Sequence, residues 1–369
     1  MEKYIDEVYP LLKELCKIPA PSHMEDSRAE FIKDYLNDVG FQKLYIDDAK
    51  NVVCESNCEN SSEITVFAAH TDTVFPDLEP MPYVEKDGKA FCPGIGDDTV
   101  SVAILMIAAK YLLDIGSAPE KGMIFLLNSC EEGLGNLKGI REFMKNYKGR
   151  IKRFITLDSR LDIMVNKAVG SHRYKVTVET EGGHSFNAFG NENAIAHLAN
   201  IVKKIYEIEV PKKGDSKTTY NVGEIFGGTS VNTIAQSAGV LLEYRSDDVE
   251  CIGIMKEKFL KIFEEEKSDK VKVTVKVVGE RPCADGVDEK EQESLTGICK
   301  GIIEGIIGRE VRIDSGSTDC NIPMSEGVPS VAIGVYMGGG MHTREEWLEL
   351  DSIKDGFLVA VKVIEGLCI

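Results

Sequence analysis

The 369-residue chain carries 61 acidic against 43 basic side chains, for a formal net charge of −18. That balance disfavours nucleic acid and anionic membrane surfaces as partners, and no apolar run approaches the roughly 20 residues that span a bilayer. The length exceeds one comfortable core, so more than one compact body is expected.

In chain order, Ile64 to Ala69 is an apolar run that predicts a buried strand, and it closes on His70-Thr71-Asp72-Thr73-Val74. Side chains alternate along a strand, so His70 and Asp72 reach the carboxyl end on one face. Ligands of open α/β sheets bind beyond that end. Pro93-Gly94-Ile95-Gly96-Asp97-Asp98 is a glycine-rich turn with paired carboxylates that opens an apolar helix, Val100 to Leu113. Gly122 to Cys130 reads as a strand that stops at Glu131-Glu132-Gly133, and Arg153 to Leu157 as another that stops at Asp158-Ser159.

The texture changes after Ala168-Val169-Gly170-Ser171. Residues 173–180 alternate polar and apolar, as a half-exposed strand does. A helix over 193–207, strands near 218–226 and 238–244, a helix over 249–267 and a strand over 270–278 complete a β-α-β-β-α-β unit. Helix and buried-strand patterns resume after Arg281-Pro282, and Ile302–Ile307 reads as a core helix face. Gly338-Gly339-Gly340-Met341-His342-Thr343 then sets a lone histidine after a flexible turn. The expected fold is therefore α/β: a catalytic domain with a central mixed sheet flanked by helices, in two parts (1–170 and 282–369), interrupted by an inserted α+β lid over 171–281.

The histidines and carboxylates at these strand ends and glycine-rich turns point to divalent cations, because imidazole and carboxylate are their ligands. No cysteine spacing forms a thiolate zinc site; Cys54-x-x-x-Cys58 lies in a polar loop without a matching pair. More carboxylates than one ion needs imply two ions sharing a bridge, with Asp97 the natural candidate. Adjacent residues on an irregular strand end point differently, so one of Glu131 and Glu132 can ligate while the other takes a proton. Cys130 is read as a packed thiol, and His23, His172 and His197 as structural or surface residues.

The ordered set His-x-Asp, Gly-x-Gly-Asp-Asp, Glu-Glu-Gly, Asp, His resembles the M20 family of di-zinc peptidases and amidohydrolases over nearly the whole chain. The resemblance implies that His70 and Asp158 hold one zinc, that Glu132 and His342 hold the other, and that Asp97 bridges them. It makes Glu131 the general base and Asp72 the residue that orients His70, and it implies a cis peptide between Asp97 and Asp98. In the lid, Gly182-Gly183-His184-Ser185 resembles the segment whose histidine stabilises the oxyanion, in many members from a partner subunit. Asn232, in Gly227-Gly228-Thr229-Ser230-Val231-Asn232, resembles a substrate-contacting asparagine. Arg245, in Glu243-Tyr244-Arg245-Ser246, resembles the arginine that grips a substrate carboxylate, a role a planar guanidinium suits. The loop Ser315-Gly316-Ser317-Thr318 resembles a pocket-lining segment, but departs from the commoner Gly-Gly-Thr pattern.

Residues His70–Val74 and His342–Trp347 look most like the tripeptidase (aminopeptidase) side of the family. The expected activity is metal-dependent hydrolysis of short peptides with a free C-terminal carboxylate, by zinc, cobalt or manganese. The alternatives are an N-acyl amino acid deacylase and a catalytically silent, metal-stabilised binding protein. The family often dimerises through its lid, so a homodimer is expected. Ten scattered cysteines, with no secretory pattern at Met1-Glu2-Lys3-Tyr4, lead to an expectation of reduced thiols and a cytoplasmic location.

Overall fold

A computed structural model describes all residues from Met1 to Ile369. The chain divides into two compact units: Met1–Ala168 with Asp285–Ile369, and the intervening Val169–Ala284.

The first unit is built on an eight-stranded mixed sheet. Its order is Leu44–Ile46, Val52–Ser56, Gly122–Asn128, Ile64–His70, Ile151–Thr156, Ser330–Ala332, Ile163–Ala168 and Arg312–Gly316. The three strands Gly122–Asn128, Ile64–His70 and Ile151–Thr156 are mutually parallel. Parallel strands covered on both faces read as unbroken apolar runs rather than alternating ones, and every residue of Gly122–Asn128 is buried. Register aligns His70 with Asn128 and Ala68 with Thr156, so all three strands end together. The helix Val100–Asp114 is buried from Val100 to Ala109 without a break, as its apolar sequence requires. It packs against the helices Glu2–Cys16 and Ser352–Cys368.

A smaller four-stranded sheet in this unit joins segments distant in sequence: Gly338–Gly339, Trp347–Glu349, Lys89–Phe91 and Val84–Lys86. Phe91 is paired with Trp347 and Gly339 with Trp347. The turn that follows Phe91 and the loop between Gly339 and Trp347 therefore spring from neighbouring strands.

The second unit has an antiparallel sheet ordered Thr218–Gly227, Ser237–Ser246, Gly170–Glu179 and Lys272–Arg281. The helices Ala194–Tyr206 and Val249–Glu265 cover one face, burying Tyr174, Val176, Val178, Val240, Leu242 and Tyr244. Alternation thus separates a packed face from one that keeps polar residues such as Arg173, Lys175 and Glu243. Asn193 and Asp248 cap the two helices, each side chain accepting a hydrogen bond from a first-turn amide. His172 Nδ1 lies 2.8 Å from the Tyr244 hydroxyl, which is itself 3.0 Å from that of Tyr174. All ten cysteines are free thiols, nine of them buried.

Candidate metal centre

Three aligned strand ends supply most of the polar cluster. His70 is the last residue of its strand and is 1% exposed. Its Nδ1 sits 3.0 Å from the backbone oxygen of Asp72, and 3.6 Å from the nearer Asp72 carboxylate oxygen. The ring is therefore oriented mainly by a carbonyl, which leaves Nε2 for a ligand. The Asp72 carboxylate instead accepts the amides of Glu131 at 2.9 Å and Glu132 at 3.0 Å and the Ser22 hydroxyl at 2.6 Å. It holds the irregular strand end on which both glutamates sit.

The turn Gly94–Asp98 adds the central carboxylate. Gly94 has φ 74°, and a Cβ there would meet Thr73 Cγ2 at 2.6 Å; a Cβ at Gly96 would meet the Tyr336 ring at 2.7 Å. Only glycine satisfies both demands. The Asp97–Asp98 peptide is cis. Asp97 presents Oδ1 to His70 Nε2 at 3.0 Å and Oδ2 to His342 Nε2 at 2.9 Å. His342, at φ 64°, also lies 3.2 Å from Glu132 Oε1.

These residues form overlapping sets whose ligand atoms all lie within 4.8 Å of one another: His70 with Asp97 and Asp158, Asp97 with Glu132 and His342, and His70 with Glu131 and Glu132. Two ligands bonded at 2.0–2.1 Å to a tetrahedral ion stand about 3.3 Å apart, close to the 2.9–3.2 Å separations seen here. Burial pushes the Glu132 carboxyl up to about 7, and repulsion from Asp97 and Glu131 adds to it. Desolvation also holds Asp158 well above the carboxylate range, despite His70 nearby. Burial would raise Asp97 too, but His342 and His70 keep it below its ordinary value. His342 is drawn up to about 10 by Asp97 and Glu132. Crowded, desolvated carboxylates of this kind call for cations, and the buried Glu132 Oε1 faces only the His342 ring nitrogen, at 3.2 Å. The residues present fit divalent metal ions.

The model of peptidase family M20/M25/M40 matches residues 66–366. The chain belongs to this family. It is 22% identical over 355 residues to succinyl-diaminopimelate desuccinylase of Corynebacterium glutamicum, covering 94% of this chain and 92% of that protein. Its fold matches a Staphylococcus aureus tripeptidase with a TM-score of 0.76, at 21% identity and 98% coverage of both chains. It also matches the dinuclear metal-binding M20 peptidase YXEP of Bacillus subtilis, with a TM-score of 0.68, 13% identity and 99% coverage of both. This M20 chain is a hydrolase with a cluster suited to metal ions.

In the second unit, His184 and Asn232 are neighbours. His184 pairs with Thr233, and the Ser185 amide donates to the Asn232 backbone oxygen at 3.0 Å. His184 Nδ1 accepts the amides of Phe186 at 3.3 Å and Asn187 at 3.4 Å. In the neutral ring this places the proton on Nε2, as a donor. Arg245 is held by Glu243 through two bonds of 2.8 and 3.1 Å.

Sequence reasoning did not single out several residues around the M20 centre. Arg28 is 3% exposed and donates to the oxygens of Leu15, Ile18 and Thr71 and to Thr99 Oγ1. It ties the His70–Asp72 segment to the residue after Asp98. Glu25 is fully buried and accepts the Cys130 amide and thiol, both at 3.2 Å. Cys130 Sγ is also 3.3 Å from His23 Nδ1, but burial pushes the thiol up to about 12, so it remains protonated. Asp319 is buried against the Asn128 amide at 2.7 Å and is pushed up to about 8, first by burial.

Proposed function

We propose that this chain hydrolyses amide bonds of short peptides that carry a free C-terminal carboxylate. His70 and Asp158 would hold one ion and Glu132 and His342 the other, with Asp97 shared, and zinc is the expected metal. The single observation that carries this is the Asp97 carboxylate, which offers one oxygen beside His70 and the other beside His342. When bound, two such cations supply Lewis acidity and a water acidified toward neutral pH.

The protein's own residues do the rest. Glu131 takes the proton as water attacks the carbonyl and returns it to the leaving nitrogen. Asp72 keeps Glu131 and Glu132 in register by accepting both of their amides. His184, with its donor at Nε2, stabilises the developing oxyanion, the kind of preorganised contact that dominates many rate enhancements. Asn232 and Arg245 bind the substrate's carboxylate end, Arg245 exchanging Glu243 for it. The second unit is the lid and carries the homodimer contact, in which the exposed side chains of Phe186 and Phe189 (85% and 90%) would be covered.

The second reading, N-acyl amino acid deacylation, draws support from the similarity to a desuccinylase. One experiment separates the two. A mixed pool of di- and tripeptides, C-terminally amidated copies and N-acyl amino acids is followed by mass spectrometry with zinc or cobalt. Loss of free-carboxylate tripeptides alone supports the peptidase. Preferential loss of N-acyl compounds would replace it with the deacylase, and no loss of any amide would leave only a silent binding protein.

A further inference from the structure

We propose that Glu346 is a positioning residue of the metal centre, whose buried carboxylate fastens the turn carrying Asp97 to the loop carrying His342. The proposal rests on the metal assignment made above. Glu346 is 2% exposed although it sits in the charged run Arg344-Glu345-Glu346. Its Oε1 accepts the amides of Gly96 at 2.7 Å and Asp97 at 2.9 Å, and its Oε2 accepts the amide of Gly94 at 2.9 Å. Three backbone donors from one five-residue turn thus converge on one carboxylate 249 to 252 positions away in sequence.

The geometry assigns this contact to the site rather than to the fold. Pairing of Phe91 with Trp347, and the bond from the Cys92 amide to the Glu346 oxygen, already bring the two segments together. The carboxylate acts beyond those pairs, on the amide of Asp97 itself. A turn amide held by a carboxyl oxygen makes a directional bond, and the turn's other features leave the peptide planes few alternatives: Gly94 is left-handed and Gly96 lies against the Tyr336 ring. His342 leaves the same loop four residues earlier, so one side chain sets the relation between two groups that meet at 2.9 Å. Residues that orient metal ligands from behind are worth 10–100-fold in metal affinity in other proteins.

The test uses the full chain as wild type and as Glu346→Gln. A glutamine amide can keep the Gly96 and Asp97 bonds through its oxygen, but it then turns a donor toward the Gly94 donor. Metal-stripped protein is titrated with zinc by calorimetry against a competing chelator, and the metal-free melting temperature is recorded. The expected result is that the ions bind 10–100-fold more weakly in the variant, most at the site that His342 shares with Asp97, while the melting temperature stays near wild type. Unchanged affinities would overturn the proposal. So would an equal loss at both ions accompanied by a large drop in melting temperature, which marks a general folding role. Hydrogen exchange of the 92–98 segment in metal-free wild type decides the matter if the variant does not fold: the clamp predicts protected amides at Gly94, Gly96 and Asp97, and rapid exchange there would refute it. Wild type that binds no ion at all would instead remove the metal assignment, with the exchange measurement still judging the clamp.

Discussion

Acidifying the metal-stripped chain from pH 7.5 to pH 5 is expected to stabilise it, the reverse of ordinary acid denaturation. Glu132 carries the argument. Its carboxyl lies at about 7 in the folded chain because of burial and the nearby charges of Asp97 and Glu131, against an ordinary value of 4.5. Between those values the folded state binds a proton that the unfolded state does not, so stability falls as pH rises through this window. At 1.36 kcal/mol per pH unit the difference is worth about 3 kcal/mol. His342, raised to about 10 chiefly by Asp97, acts with the same sign above its ordinary value, losing stability as pH rises. Asp97, held below its ordinary value, contributes throughout this window and is lost only on further acidification. The assay is urea or thermal unfolding after chelation at pH 5, 6 and 7.5. Loading zinc should invert the order, because the ligands must then be deprotonated. A metal-free chain whose stability decreases steadily from pH 7.5 to 5 would refute the picture of crowded, desolvated carboxylates.

Further perturbations address separate links. Glu131→Gln should lower kcat by about 10²–10⁴-fold with unchanged metal content by elemental analysis; near-normal turnover would remove the general base. Arg28→Met keeps the length of the side chain but strands buried acceptors at Leu15, Ile18, Thr71 and Thr99. At about 1 kcal/mol for each such loss, unfolding should become easier by roughly 4 kcal/mol, and a change below the error of a urea titration would contradict the role given to it. Gly139→Ala sets a Cβ 2.3 Å from the Ser129 oxygen and 2.5 Å from Asn51 Oδ1. Overpacking of that kind costs about 1–3 kcal/mol, readable as a lowered melting temperature, and it should also cut kcat because Ser129 lies just after the strand Gly122–Asn128 and two residues before Glu131.

The central strands were legible because burial on both faces writes itself as an unbroken apolar run, as in Ile64–Ala69 and Gly122–Leu127, while the second unit's sheet shows alternation. The two-residue strands Gly183–His184 and Thr233–Ile234 were beyond such reasoning, since a pair that short has no periodicity of its own. At the site, His70, Asp97, Glu132 and His342 could be picked out because each follows a strand or a glycine-rich turn, and the structure brings them together. The second task of Asp72 was not legible: besides facing His70 with its backbone oxygen, it serves the amides of Glu131 and Glu132 with its carboxylate. Glu25, Arg28 and Glu346 were invisible for a common reason. Each lies in a sequence that reads as solvated surface, and each is buried only because backbone groups far away in sequence converge on it.

The most direct test of the metal-dependent reading is native mass spectrometry during stepwise zinc addition to stripped protein, with tripeptide hydrolysis measured at each step. The account predicts two ions per chain, hydrolysis that depends on their binding, and loss of both ions' effect on renewed chelation. Full hydrolysis by the chelated, metal-free chain would contradict it.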